Sequence, residues 1–404
     1  MTAVTPSVTV GPSATVISST VIGEVSIDYG RRSPNEETQP TTATIELLNP
    51  ISAEVKLGAT IKVYAGNLRY SGVIEAIIAG PYTTSVHCTS GAYQQLQRAT
   101  SPKGFYVTGD YSGTGFGAIM NGVISIVQAQ LGWTSIPAAA TATDSAMPIN
   151  MGPFPVGSSF AGTGNLYTGS AWEFLKAFGQ NDPLGYWFQY PWNDTIYYAD
   201  SRYRSGLNTW TIDPALVEKD WTVTYAATDL LNSYSVNYYT GWNYGLTEIP
   251  ATTTTTITDA NSQASYGVFQ ESVSTFYVVK DEADRMAQMA ISGRRVPRPV
   301  LSSMVVDVRR ADFTTTSNLL VTSCGTMYTF PVSTWSTLIP NLPLYMIVEG
   351  YRETITSNTH TIELYFSDWR ITWARQLWNE VNPTPTYAGM SATTTYDDLL
   401  GVWI

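Results

Sequence analysis

Five short stretches of alternating or β-branched residues recur through the first hundred positions, and they constrain the fold more than anything else in the chain. They read VSIDYG (25–30), TATIELLN (42–49), ATIKVYA (59–65), LRYSGVIEAIIAG (68–80) and TTSVHCTS (83–90), with Gly, Pro and Asn between them. Side chains alternate across a strand, so apolar residues at every second position give one face for a core and one for water. The pattern predicts a β domain over 1–100. RRSPNEETQPT (31–41) forms a long polar connection, and GAYQQLQRA (91–99) a short closing helix.

Residues 101–218 read differently. GAIMNGVISIVQAQLGW (117–133) is apolar at helical spacing through Ile119, Met120, Val123, Ile124, Val127 and Leu131. SAWEFLKAFG (170–179) predicts a second helix, and LGYWFQYPWNDTIYYADSRYR (184–204) an aromatic hairpin about PWND. From 219 to 375 strands return, in 220–240, VLSSMVVDVRR (300–310), NLLVTSCGTMYTF (318–330), LYMIVEGYRETIT (344–356) and HTIELYFSD (360–368), with 251–258 read as a Thr-rich loop. The segment 376–404 reads as an irregular arm with spaced aromatics. The expected fold class is therefore mainly β, two β domains flanking a helix-plus-hairpin insertion. The hairpin-like stretch 68–90 is echoed at 344–367, with ATIKVYA and GTMYTF standing before the two copies.

KDEADRM (280–286) contains the letters of a helicase ATPase, but a nucleotide motor also needs a loop ending Gly-Lys. None of the lysines (Lys56, Lys62, Lys103, Lys176, Lys219, Lys280) follows a glycine. The carboxylates suit a helix start instead, with Asp281 as cap, over 281–292. Ala283, Met286, Ala287 and Ala290 make an apolar stripe, packed between the β domains, and Gly293, Pro297 and Pro299 end the helix. GTGFGA (113–118) matches a dinucleotide fingerprint in letters but lacks the parallel βαβ surroundings, which leaves a glycine hinge.

His87 and Cys88 are adjacent on a strand and face opposite ways, so they cannot share a metal. With His360 the only other histidine, no Ser-His or Cys-His nucleophile, metal site or cofactor site is expected. The two cysteines, Cys88 and Cys324, make no disulfide framework. Only 13% of residues are charged, about half the usual share, and the net charge of −11 argues against a nucleic-acid coat. The start carries no basic-then-apolar leader and no stretch approaches 18 apolar residues, so we expect synthesis in a cytoplasm and no membrane span. The aromatic hairpin (Tyr186, Trp187, Phe188, Tyr190, Trp192, Tyr197, Tyr198, Tyr203) offers a second lead, since aromatic faces stack on sugars. Asp194, Asp200 and Asp213 would serve a glycosidase only if folding paired two of them.

Several segments together resemble one family. DYGRRSPNEETQPTTATIELLN (28–49), LRYSGVIEAI (68–77), SAWEFLKAFGQNDPLGYWFQ (170–189), DLLNSYSVNY (229–238), the run from Tyr266 to Leu301 and VEGYRETITSNTHTIELYFSD (348–368) are similar, in this order, to the central tail-hub, or minor tail, protein of long-tailed bacteriophages, especially actinobacterial siphophages. The resemblance spans about 20 to 370; 134–168 and 246–262 depart from it. It implies two tail-tube-like β-barrels per chain, at 1–100 and 219–375. Three chains would then form a pseudo-sixfold ring in the virion tail tip, with a central channel for DNA and the tape-measure protein. Its partners would be the distal tail ring, the tape measure and downstream receptor-binding proteins, and it would be no enzyme. Trp378, Tyr387, Tyr396 and Trp403 would anchor the arm on a neighbour. The competing reading is a carbohydrate-binding or wall-degrading β protein.

Overall fold

The computed structural model describes residues 6–12, 14–17, 22–33, 36, 39–105, 114–141, 148–149, 168–182, 185–200, 209–218, 223–226, 230–240, 251–275, 277–301, 303–330 and 344–368. The N-terminal strands are β1 (Ser7–Val10), β2 (Thr15–Val16), β3 (Ile22–Gly30), β4 (Gln39–Leu48), β5 (Thr60–Ala65), β6 (Asn67–Ala79) and β7 (Thr83–Thr89). They pair antiparallel in the order β3-β4-β7-β6-β5-β1-β2. Alternation does what the sequence predicts: Val25 and Ile27, Ile45 and Leu47, Ile61 and Val63, with Val86 and Cys88, close one core.

The middle of the chain supplies α1 (Gly91–Arg98), β8 (Thr114–Gly115), α2 (Phe116–Leu131), β9 (Ala138–Thr141), β10 (Pro148–Ile149), α3 (Ala171–Gly179), β11 (Tyr186–Gln189) and β12 (Ile196–Ala199). Ser90 caps α1 through the Tyr93 amide, and Ser170 with Glu173 closes a capping box on α3. The apolar stripe of α2 is buried with Phe174, Leu175 and Phe178 of α3. Two-residue β8 pairs with β10, and Gly115 stands at the N-cap of α2.

Next come β13 (Thr209–Thr211), β14 (Val223–Ala226), β15 (Ser233–Thr240), β16 (Ala251–Thr258), α4 (Ala260–Tyr266), β17 (Gln270–Ser274) and α5 (Lys280–Ser292). The Thr-rich segment 251–258 is thus a strand, not a loop; β-branched residues favour extended backbone even without apolar alternation. The start of α5 also differs from expectation. Val279 is its N-cap, with no side-chain cap bond, while Asp281 and Glu282 lie inside its first turn. Its stripe, buried at Ala283, Met286, Ala287 and Ile291, packs on β15 and β16 and joins the core of α2 and α3 rather than lying between β domains. Met286→Ala should therefore cost about 2–3 kcal/mol, while Asp281→Ala should shift stability by less than about 0.5 kcal/mol; urea unfolding of the two variants checks both.

The last elements are β18 (Arg298–Leu301), β19 (Ser303–Asp307), α6 (Phe313–Leu320), β20 (Met327–Phe330), β21 (Leu344–Thr356) and β22 (His360–Asp368). Only 327–330 of the strand expected over 318–330 is extended. Asp312 accepts from the Thr315 amide and starts α6 instead, which buries Leu319. The echo is visible in the pairing: β5-β6-β7 and β20-β21-β22 are each antiparallel, and each middle strand carries a bulge.

Strand β21 ties the molecule together. One edge pairs with β22 from Met346 to Ile355; the other pairs with β20 at its beginning and, from Gly350 onward, with β3. Its Met346, Val348 and Tyr351 sit in a C-terminal core with Met304, Val306, Ile362 and Phe366, yet its Ile355 sits in the N-terminal core. The aromatic hairpin β11–β12 is likewise two-sided. Trp187, Ile196 and Tyr198 enter the helical core; Tyr186, Phe188 and Ala199 enter the C-terminal one.

Candidate functional site

The residues with the most unusual chemistry lie along the seam where β21 meets the N-terminal sheet. The seam requires close backbone approach. Gly350 faces Gly30 across the ladder, and a Cβ on Gly350 would lie 2.3 Å from the Tyr29 carbonyl and 2.6 Å from that of Arg31. Gly30 has φ +75°, and a Cβ there would lie 2.5 Å from the Glu349 carbonyl. Both glycines belong to the segments DYGRR and VEGYR.

Two buried carboxylates flank this contact. Glu353 of β21 takes a forked pair from Arg69 of β6, Nε–Oε1 2.9 Å and Nη2–Oε2 2.8 Å, and Arg69 Nη1 donates to the Leu320 carbonyl at 2.6 Å. Arg69 is 1% exposed and Glu353 0%. His360 Nε2 stands 2.7 Å from Glu353 Oε1 and must carry a proton to donate there, since an ionised carboxylate only accepts. Burial alone would raise the Glu353 carboxyl, but the charge of Arg69 and the bonds from His360 and Arg69 outweigh it and hold it at about 2. Burial likewise works against the charge of Arg69, and Glu353 more than offsets it. The second carboxylate, Glu349, takes Arg31 Nε at 2.7 Å and the Ser367 hydroxyl.

A proton binds Glu353 near pH 4.5 in the unfolded chain and only near 2 in the folded one. Its contribution is complete above pH 4.5 and is lost as pH falls through that interval toward 2. Urea midpoints should thus decline between pH 5 and 2, with a component absent from Glu353→Gln.

Beside the seam opens a cleft of about 470 Å³ lined by Asp28, Arg31, Arg32, Glu36, Arg352 and Tyr365 among others. Its charges are largely mutually engaged: Arg352 Nε to Asp28 at 2.8 Å, and Arg31 to Glu349. The arrangement locks elements together and offers no nucleophile–base pair.

The other expected sites resolve into structural roles. The faces of Tyr186, Trp187, Phe188 and Tyr198 are buried, so they present no sugar platform. Asp194 accepts from the Ala92 amide at the start of α1, Asp213 from the Ala215 amide in a short 3-10 turn, and Asp200 is buried at the end of β12. Tyr203 lies outside the described residues, as do the proposed anchors Trp378, Tyr387, Tyr396 and Trp403. His87 lies between Thr44 and Ser85, while Cys88 points into the N-terminal core; Cys88 and Cys324 lie in different cores and form no disulfide. Among the described residues no three His, Cys, Asp or Glu side chains converge on a metal position, and no helix is long and apolar enough to cross a membrane.

Sequence reading missed Asn232, which is fully buried. Its Nδ2 donates to the Gly267 carbonyl at 2.7 Å and its Oδ1 accepts from the Phe269 amide at 2.8 Å, fixing the turn between α4 and β17. A lone Asn inside DLLNSYSV was the available signal.

No family model matches the chain, and no curated protein matches it in sequence. Solved structures do. The 43 kDa tail protein of prophage MuSo2 from Shewanella oneidensis superposes with TM-score 0.56 at 9% identity, covering 91% of this chain and 99% of that one. A tail protein from Neisseria meningitidis MC58 gives 0.56 at 13% identity, covering 91% and 98%. The chain has the fold of prophage tail proteins. Prophage tail protein gp18 from Listeria monocytogenes EGD-e agrees, at 0.51 and 9% identity over 90% and 95%. This prophage-tail fold is mainly β, with the helical region set between β portions, as the sequence led us to expect.

Proposed function

We propose that this chain is a structural protein of a bacteriophage tail, the trimeric hub at its tip. One observation carries the reading: three prophage tail proteins share the fold over about nine tenths of this chain and nearly the whole of their own. The hub would join the six-fold tube and its distal ring to a three-fold tip that bears the receptor-binding proteins. A channel would pass the tape-measure protein and DNA. Two similar β-barrels per chain, taken three times, would supply six similar faces. The repeated β5-β6-β7 and β20-β21-β22 arrangement supports that part of the reading.

The test is electron microscopy of purified particles bearing a labelled copy of this chain. A three-fold ring with a central channel at the tail tip is expected. A ring of six copies, or label along the tube, overturns the hub assignment. An isolated chain that releases sugars from host walls would overturn the non-enzymatic reading.

The arm, 376–404, is proposed to grip a neighbouring subunit through Trp378, Tyr387, Tyr396 and Trp403. Aromatic side chains bury much area for few frozen torsions. Deleting 376–404 should leave the melting temperature of the isolated chain within a few degrees and abolish tip assembly. A truncated chain that precipitates or melts far lower shows instead that the segment packs on its own chain.

A further inference from the structure

The three-stranded sheet β16-β15-β17 is open at both ends. Strand β15 pairs over eight residues with β16 and over five with β17, and neither outer strand has another partner among the described residues. An unpaired edge presents a row of N–H and C=O groups, a template for a further strand, and soluble proteins usually guard such edges with Lys, Pro, a bulge or shortness. β16 has none of these. It reads ATTTTTIT, eight residues without charge, proline or register shift, and Thr252, Thr254 and Thr256 are exposed.

The opposite edge is its complement. β17 reads QESVS, and Glu271, its one charge, is held by a forked pair from Arg294 at 2.6 and 3.1 Å. No uncompensated charge therefore opposes a neutral strand laid beside it. The outer surface of the sheet is also rigid: Thr254 Oγ1 donates to Asn237 Oδ1 at 2.6 Å, and Asn237 Nδ2 to Ser274 Oγ at 3.3 Å, across all three strands. α5 supports the inner surface, where Thr255 Oγ1 donates to Asp284. A braced, neutral edge without a register shift is suited to strand addition.

We propose that copies of this chain join head to tail through this sheet, the β16 edge of one copy pairing with the β17 edge of the next. A single type of joint then satisfies both edges, whereas β16 pairing with its own copy would leave both β17 edges bare. Head-to-tail joints close into rings when the rotation permits. The inference concerns contacts between copies and does not depend on where in a virion the chain resides.

The test is Thr254→Cys/Ser272→Cys in the full chain, oxidised at high micromolar concentration. These positions lie on the two strands flanking β15 and are offset by two residues, about 12 Å apart within one chain, too far for an internal disulfide. Cys88 and Cys324 are buried, so they add little background. The double variant should give a ladder of disulfide-linked dimers and trimers that neither single variant gives, and adding Thr252→Lys, at an exposed position of the same edge, should remove the ladder without lowering the melting temperature. Crosslinking by Thr254→Cys alone would mean symmetric pairing and overturn the proposal. So would the absence of a ladder, or slow hydrogen exchange at the outward β16 amides in a chain that sedimentation shows to be monomeric, since that edge would then be covered by its own chain.

Discussion

Arg69→Met should lower the unfolding free energy by about 3–5 kcal/mol, because it leaves Glu353 ionised or forces a proton onto it in a fully buried position. The methionine fills much of the space of the arginine stem, so the loss reports charge rather than volume. Arg69→Met/Glu353→Leu should recover most of the deficit, since replacing a whole buried pair with apolar groups is often neutral or stabilising. Urea unfolding of the wild type, both single variants and the double variant closes the cycle. A double variant no more stable than Arg69→Met would show that the cost lay in packing or in the lost bond to Leu320. Because Glu353 is the partner that titrates, Arg69→Met should lose most relative to wild type near neutral pH and progressively less as pH falls below 5.

Gly350→Val should be at least as damaging, on the order of 4 kcal/mol or more. The atoms that its Cβ would strike are main-chain oxygens and nitrogen of Tyr29 and Arg31, so no side-chain rotation relieves the clash and β3 must move away from β21. Gly58→Ala provides the comparison. Gly58 has φ +78° but nothing within 4 Å of a Cβ, so it isolates the backbone penalty, about 1–2 kcal/mol. Equal losses in the two variants would mean that the seam does not depend on close approach at Gly350.

How much of this was readable beforehand depends on range. Strands β3 to β7 and helices α2, α3 and α5 follow from local period, because each has a buried stripe set by neighbours a few residues away. β16 escaped because its inward positions, Thr253, Thr255 and Ile257, carry only one strongly apolar side chain although they face the apolar stripe of α5, so no hydrophobic period shows. α6 escaped because FTTTSNLL has poor helix propensity; its signal was the cap at Asp312, a single residue. The seam was the least legible feature. Arg69 and Glu353 are 284 residues apart and only the folded topology brings them together. A hint stood in β21 all the same, where Glu353 occupies the phase of Tyr351 and Ile355, a charged residue at a position reserved for the interior. The hairpin at 186–199 was correctly placed, but its burial on both faces was not, since local alternation cannot reveal that two separate cores claim it.

A strand hydrogen-bonded along both edges has a mechanical meaning. Tension applied along β21 acts at right angles to its ladders with β22 and β3, so the bonds are loaded in shear and many must fail at once rather than peel singly. Resistance to pulling is governed by the rate of that concerted failure and not by the equilibrium stability of either end. Load entering through the C-terminal hairpin is carried directly into the N-terminal sheet without crossing a flexible joint, and the two β portions yield together.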